Sequence, residues 1–511
     1  MNVQELIEEL NCVKRALLYG HSKISVPKVG VHSDYAKSAT NLFHYLVLRS
    51  FDLRPLQKKL AELGFSALGT AEGYVLQNLN HVLAHLKRLI GHDVAFDLYD
   101  DGLGFEESRK LLEDHKRALF GNNEGNPTTH IMVTLPTEAA YDGEMVLAMV
   151  KSGMNIARIN LSHDNEDVWR AMVSQVKRAS KSLGKPIKVY MDLAGPKIRT
   201  GDISFQNKKG KTVKKLPVRQ GEHILLTKNP VLNPKSSFDK NGRQQTVAEI
   251  NVSLPQIIDD VQLGDSILFD DGMIRGHVLK KETASVLVEI TKCFKSKLGS
   301  QKGINLPNTR LHLPALTGDD IKVLPFACEH ADILGYSFVR SKDDVAVLYK
   351  TLEELKAKDI GVVFKIENQE AFENFPTILM KGMERNNIGV MIARGDLAVE
   401  IGFERISEVQ KELLWLCEAA HIPVIWATQV LETLAKKGIP TRAEVSDAAE
   451  GARAECVMLN KGPHINEAIS TLRNILDKMD AHVSKKKESL RALNIAKKYI
   501  EWQDQELKLS Y

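Results

Sequence analysis

The sequence predicts an α/β fold: a (β/α)8 TIM barrel with an inserted small β-barrel lid and an N-terminal α-helical domain. Three observations predict it. From residue 129 onward, eight short apolar runs alternate with helical stretches. That is the pattern of parallel strands buried on both faces and joined by right-handed crossovers. Polar residues fall at the C-terminal end of nearly every run, which is where a barrel builds its sites. The third and fourth runs are separated by far more chain than one helix requires, and the insert has the texture of polar-turned hairpins.

Residues 1–125 read as helical. "NVQELIEELNCVKRALLYG" has helical apolar spacing and ends at Gly20, and "RPLQKKLAELG" starts with Pro and stops at Gly64. "AEGYVLQNLNHVLAHLKRLIG" continues the pattern. The helices around "ELGFSALGTAEGY" fit a helix-turn-helix or a plain docking module, and docking is favoured because no chemistry gathers there. "GNNEGNPTT" reads as a linker.

The eight runs are "HIMVTLP", "NIARINLSH", "IKVYMDLAG", "ADILGYSFVR", "GVVFKIEN", "IGVMIARGD", "IPVIWATQ" and "CVMLN". They place the catalytic barrel at 126–201 and 303–482. Within the insert at 202–302, "GEHILLTK", "DSILFDDGMIRGHVLKK" and "ASVLVEITKCF" read as antiparallel strands of a lid over the barrel mouth. Residues 483–511 read as a Lys-rich helical tail.

Composition excludes some partners. The chain has 511 residues, 69 Lys plus Arg and 65 Asp plus Glu. A net charge of +4 is too small to argue for nucleic acid or a membrane surface. No apolar run approaches the ~20 residues that span a bilayer. The acidic "MNVQELIEEL" predicts no signal peptide. Five scattered cysteines without a C-x-x-C pair point to a reduced, cytoplasmic protein.

The candidate site residues come from four runs. Lys365 and Glu367 are two apart in a strand, so both point inward; alone, the pair reads equally as a structural ion pair. Asp396 ends the next strand. Two carboxylates on neighbouring strands suit Mg2+ or Mn2+, with substrate oxygens and water completing the shell. Lys365 beside them would stabilise charge on a transferring group. Gly395 lets the backbone approach a ligand, and a helix starting there would offer N–H groups to an anion. Thr428 would add a hydroxyl. Arg158, Asn160 and Ser162 share one face, and either a hydrogen-bond network or a bound anion and cation would satisfy them. "FDDGMI" reads first as an Asp-Gly hairpin turn and second as a catalytic segment.

In order, "GMNIARINLSH", "MDLAGPKIRTG", "FDDGMI", "QKGINLPNTRLHLPALTGDDI", "YSFVRSKDDV", "KIENQEAFENF", "MIARGDLAVEIGFERISEVQKELL" and "PVIWATQVLETLAKKGIPTRAEVSDAA" resemble the pyruvate kinase family over roughly residues 129–480. The resemblance implies Mg2+-dependent phosphoryl transfer from phosphoenolpyruvate to ADP, giving ATP and pyruvate, a glycolytic step. It implies Glu367 and Asp396 as metal ligands and Lys365 on the phosphoryl in flight. Arg158 and Ser337 would meet the substrate phosphate. Gly395, Asp396 and Thr428 would hold the carboxylate, and Thr428 would sit on the proton path to the enolate. Asn160, Ser162, His163, Arg199 and Lys302 would face the nucleotide. A homo-oligomer, dimer or tetramer, is expected. The alternatives are a non-catalytic phosphoenolpyruvate or nucleotide sensor and a Mg2+-enolate lyase.

The sequence also departs from that family. Leu193-Ala194 stands where Thr-Lys is usual, and "MLNKGPHINEAI" replaces a Ser-Gly-Glu-Thr-Ala stretch at the last strand. Lys197 stands where many members have Glu. In the family, the region of Asn160, Ser162 and Asp192 often holds K+, and a Lys at this position is associated with dispensing with it. Lys197 is therefore expected as a built-in replacement, with K+ not required. No C-terminal effector domain, and hence no sugar-phosphate allostery, is expected.

Overall fold

The computed structural model describes residues 2–23, 30–65, 68–92, 103–123, 128–206, 211–480, 483–484 and 487–488. All eight apolar runs become strands of one closed parallel barrel: His130–Thr134, Ile156–Asn160, Lys188–Asp192, Ile333–Tyr336, Gly361–Ile366, Ile388–Ala393, Val424–Ala427 and Cys456–Leu459. The eighth strand closes on the first, with His130 opposite Cys456. Each strand is shorter than its apolar run, because the trailing polar residues turn out of the ladder at the mouth. Helices such as Glu166–Leu183, capped by Asn165 and stopped by Gly184, cover the outside.

The N-terminal helices Val3–Lys23, Ala36–Arg49, Arg54–Glu62, Val75–Leu89 and Phe105–Phe120 confirm the helical reading of that region. They do not form a separate core. Leu6, Leu42 and Leu79 belong to the same apolar cluster as the barrel's outer face. Asn41 joins the two parts by donating to Glu72 O at 2.7 Å and to Ala419 O at 2.8 Å. His421, fully buried, lies 3.0 Å from both Ser38 Oγ and Ser108 Oγ. The helix Phe105–Phe120 ends in Leu119 and Phe120, which pack among Met132, Ile156, Val363 and Met391 inside the barrel floor. The expected docking module thus docks on its own barrel. The turn residues 66 and 67 and the linker residues 124–127 lie outside the described residues.

The insert forms a six-stranded sheet with its own core. Its order is Ala248–Asn251, His223–Thr227, Ser285–Cys293, Ile274–Lys281, Ser266–Phe269 and Ile304–Asn305. The strands of the three expected segments pair antiparallel, as expected; Ile304–Asn305 adds antiparallel and Ala248–Asn251 adds in parallel. The two edges are stitched by isolated bridges, Arg199 to Gly303 and Thr200 to Val252, so closure comes from the chain running into the lid. The boundary also shifts: Ile304, Leu306 and Leu313 lie in the lid's core, beyond the expected 302, because no turn signal separates them from it. In "FDDGMI", Asp270, Asp271 and Gly272 all have positive φ, as the hairpin reading requires. Of the expected helical tail, Val483–Ser484 pairs with Lys487–Glu488 as antiparallel strands; the rest lies outside the described residues.

Candidate active site

Five inward side chains from four adjacent strands, or the turns that follow them, meet at the barrel mouth. Lys365 is the hub. Its Nζ donates to Ser337 Oγ at 2.7 Å and to Asp192 Oδ2 at 3.1 Å, and lies 3.0 Å from Glu367 Oε1. Arg158 grips the same Asp192 oxygen through Nη2 and, at 3.2 Å, through Nε, while Nη1 donates to Thr134 Oγ1 at 2.9 Å. All five of these residues are buried. Two glycines make room. A Cβ on Gly335 would stand 2.3 Å from Asp192 Oδ1. Gly195, at φ +65°, turns the chain out of the third strand where a Cβ would strike the Phe338 ring at 2.8 Å.

The charges set one another's protonation. Burial alone would push the Asp192 carboxyl up, but Lys365 and Arg158 outweigh it and hold it below its ordinary value. Burial alone would lower the Lys365 ammonium, but Asp192 and Glu367 hold it above. Glu367 is pushed up, first by burial and then by the Asp396 and Asp192 carboxylates, against the pull of Lys365. Its Oε2 accepts from Phe338 N at 2.7 Å, and Phe338 holds a positive φ to deliver that amide.

Asp396 sits in the first turn of the helix Arg394–Ile401. The like-charge effect of Asp396 on Glu367 is the strain a divalent cation between two oxygen-only ligands would relieve, so these residues fit Mg2+ or Mn2+. Among the described residues, no three His, Cys, Asp or Glu side chains gather as a ready-made metal site. Gly395 N donates to Thr428 Oγ1 at 2.7 Å. That amide is therefore spent on a neighbour, and the Thr428 hydroxyl keeps its own proton free to donate.

Other expected residues are placed apart from this cluster. Lys197 Nζ donates to Asp396 Oδ1 and Oδ2 at 2.9 and 3.1 Å; Asp192 takes its cations from Arg158 and Lys365 instead. Asn160 Oδ1 accepts from Ser162 N at 3.0 Å. Asn160 and His163 line a recess of about 250 Å3 with Arg158, Lys436, Asn460 and Lys461. Arg199 donates to Gln301 O at 3.1 Å, and Lys302 pairs with Asp270 at 3.1 Å. Both stay within the lid's own contacts.

Sequence reasoning missed several positioning groups. Asp320, buried, accepts from Ala194 N at 2.9 Å and Gly195 N at 3.3 Å, fixing the turn after the third strand. Leu193 O accepts from Ser337 Oγ at 2.7 Å, so the backbone of the divergent Leu193-Ala194 pair carries the contacts. Glu400, one helical turn after Asp396, accepts from Asn305 of the lid at 2.8 Å. Its i+4 spacing in "GDLAVE" was the available signal.

Comparisons with known proteins show the family. The family model "Pyruvate kinase, barrel domain" matches residues 126–464. The pyruvate kinase of Staphylococcus aureus strain USA300 is 33% identical over 356 residues, covering 68% of this chain and 56% of that protein. Those of strains NCTC 8325 and N315 give the same figures. The chain thus matches little more than half the length of these relatives.

Proposed function

The chain belongs to the pyruvate kinase family, and from that premise we propose that it moves the phosphoryl group of phosphoenolpyruvate to ADP, giving pyruvate and ATP. The observation that carries this reading is Lys365, buried between Asp192, Ser337 and Glu367 with Arg158 beside it. Phosphoryl transfer asks for positioning and charge stabilisation more than covalent chemistry, and two buried cations fixed by carboxylates offer both. Lys365 and Arg158 hold the phosphoryl oxygens, and Ser337 orients Lys365. Thr428, held by the Gly395 amide, positions the substrate carboxylate, and its hydroxyl leads toward the proton that the enolate takes up. Glu367 and Asp396 would hold Mg2+, which supplies charge neutralisation to the phosphates. Asn160, Ser162, His163, Arg199 and Lys302 face the nucleotide phosphates when the lid and barrel mouth engage it.

We read Lys197 as a tethered ammonium that replaces K+, a reading that follows from the residue type at this position, since Lys197 is seated on Asp396 and not on Asp192. A homo-oligomer in a reducing compartment completes the reading; the five cysteines are free.

A coupled assay with phosphoenolpyruvate, ADP and Mg2+, run in Na+- and K+-free buffer, tests it. Equal yields of pyruvate and ATP are expected. Pyruvate without ATP would favour a lyase, and binding without turnover a sensor. A many-fold rescue by K+ would sink the Lys197 assignment alone.

A further inference from the structure

A cavity of about 560 Å3 lies between the chain leaving the lid, the turns after the fourth and fifth barrel strands, and the helix Arg394–Ile401. It opens on Lys197 and Asp396 but includes none of Arg158, Ser337 and Lys365. Its wall carries Arg340, a side chain only 8% exposed. A guanidinium brings five N–H donors and a permanent charge. Among the described residues, that of Arg340 makes no hydrogen bond. Its one ion-pair partner, Glu370, lies 3.8 Å from Nε, beyond hydrogen-bond reach. Arg310 stands exposed at the rim. Burial pushes the Glu370 carboxyl up, Arg340 and Arg310 pull it down, and Asp344 and Glu373 push it up again, so the two cations act on one place.

The other acids of the cavity are already engaged. Asp396 accepts from Lys197 at 2.9 Å, Glu400 from Asn305 at 2.8 Å and Glu373 from Gln369 at 2.7 Å. Around Glu370 the two guanidiniums face three carboxylates, of which Asp344 is held by the Arg340 and Ser341 backbone N–H groups and Glu373 by Gln369. None of the Arg340 side-chain nitrogens is sealed from solvent, so the unmet donors face the cavity, where a ligand's oxygens can reach them.

We propose that this cavity is an oxyanion site, in which Arg340 from the wall and Arg310 from the rim take a phosphate-class group of a small ligand. The ligand's oxygens replace the loose contact to Glu370 with charge-assisted hydrogen bonds. The cavity shares Lys197 and Asp396 with the candidate active site but none of Arg158, Ser337 and Lys365, and the proposal does not depend on the phosphotransfer reading.

The test is calorimetric titration of the full chain with inorganic phosphate. Arg310→Gln, at an exposed position, weakens phosphate about tenfold, the loss of one charge-assisted hydrogen bond. Glu370→Gln removes the competing carboxylate and tightens phosphate several-fold. If the wild type takes no phosphate, or if it does and neither substitution changes its affinity, the site is not there. The second outcome would assign all oxyanion binding to the Arg158–Lys365 cluster.

Discussion

Lys365→Met separates what the cluster does for stability from what it does for chemistry. The substitution removes an ammonium that meets three oxygens within 3.1 Å in a buried pocket. Removing one partner of a buried ion pair costs about 3–5 kcal/mol. The lower end applies here. Asp192 keeps Arg158, and Glu367, already pushed up, can take a proton and keeps the Phe338 amide. We expect a loss of about 3 kcal/mol. The double variant Lys365→Met with Glu367→Gln removes the stranded charge and recovers about 1–2 kcal/mol of it, within the usual coupling of contacting residues. Urea unfolding followed by tryptophan fluorescence reads this, since Trp426 is fully buried in the seventh strand. The single variant's deficit should shrink as pH falls and Glu367 takes up its proton, and both variants should lose phosphotransfer. A single-variant loss under about 1 kcal/mol, or a double variant no better than the single, refutes the idea that a buried, mutually compensated cluster is held together by Lys365.

Two further outcomes follow from contacts outside the cluster. Phe120→Ala empties the barrel floor, where the ring is 2% exposed and packs 5.5 Å from the His130 ring; it should cost about 3–5 kcal/mol by thermal or urea unfolding, and an unchanged midpoint would show that the N-terminal helices do not brace the barrel. Burial pushes the Glu400 carboxyl from 4.5 up to about 7, so between those values the folded state holds a proton that the unfolded chain has released. Stability therefore falls as pH rises through that window. Glu400→Gln should remove the slope and gain on the wild type by about 2–3 kcal/mol between pH 4 and 8, and parallel pH profiles would refute the shift.

Local patterning alone determined much of this protein. Parallel strands buried on both faces must be apolar throughout, so the eight runs announced themselves. Inward polar residues at their ends are costly without a purpose, so Arg158, Asp192, Ser337, Lys365 and Glu367 stood out by position and residue type. Helical periodicity marked the N-terminal helices in the same way. Tertiary structure decided what depends on distance between remote segments. Period and propensity do not say that Leu119 and Phe120 plug the barrel floor, because any amphipathic helix end looks alike. Nor do they say that Lys197 seats on Asp396, that Asn305 reaches Glu400, or that Arg340 turns unmet donors to a cavity. The lid's edge fell the same way: a strand of two residues such as Ile304–Asn305 carries too little pattern to be seen, and only pairing with Ser266–Phe269 assigns it to the sheet. The sequence sets which side chains are available at the mouth; the folded chain sets which charges pair there and which are left for a ligand.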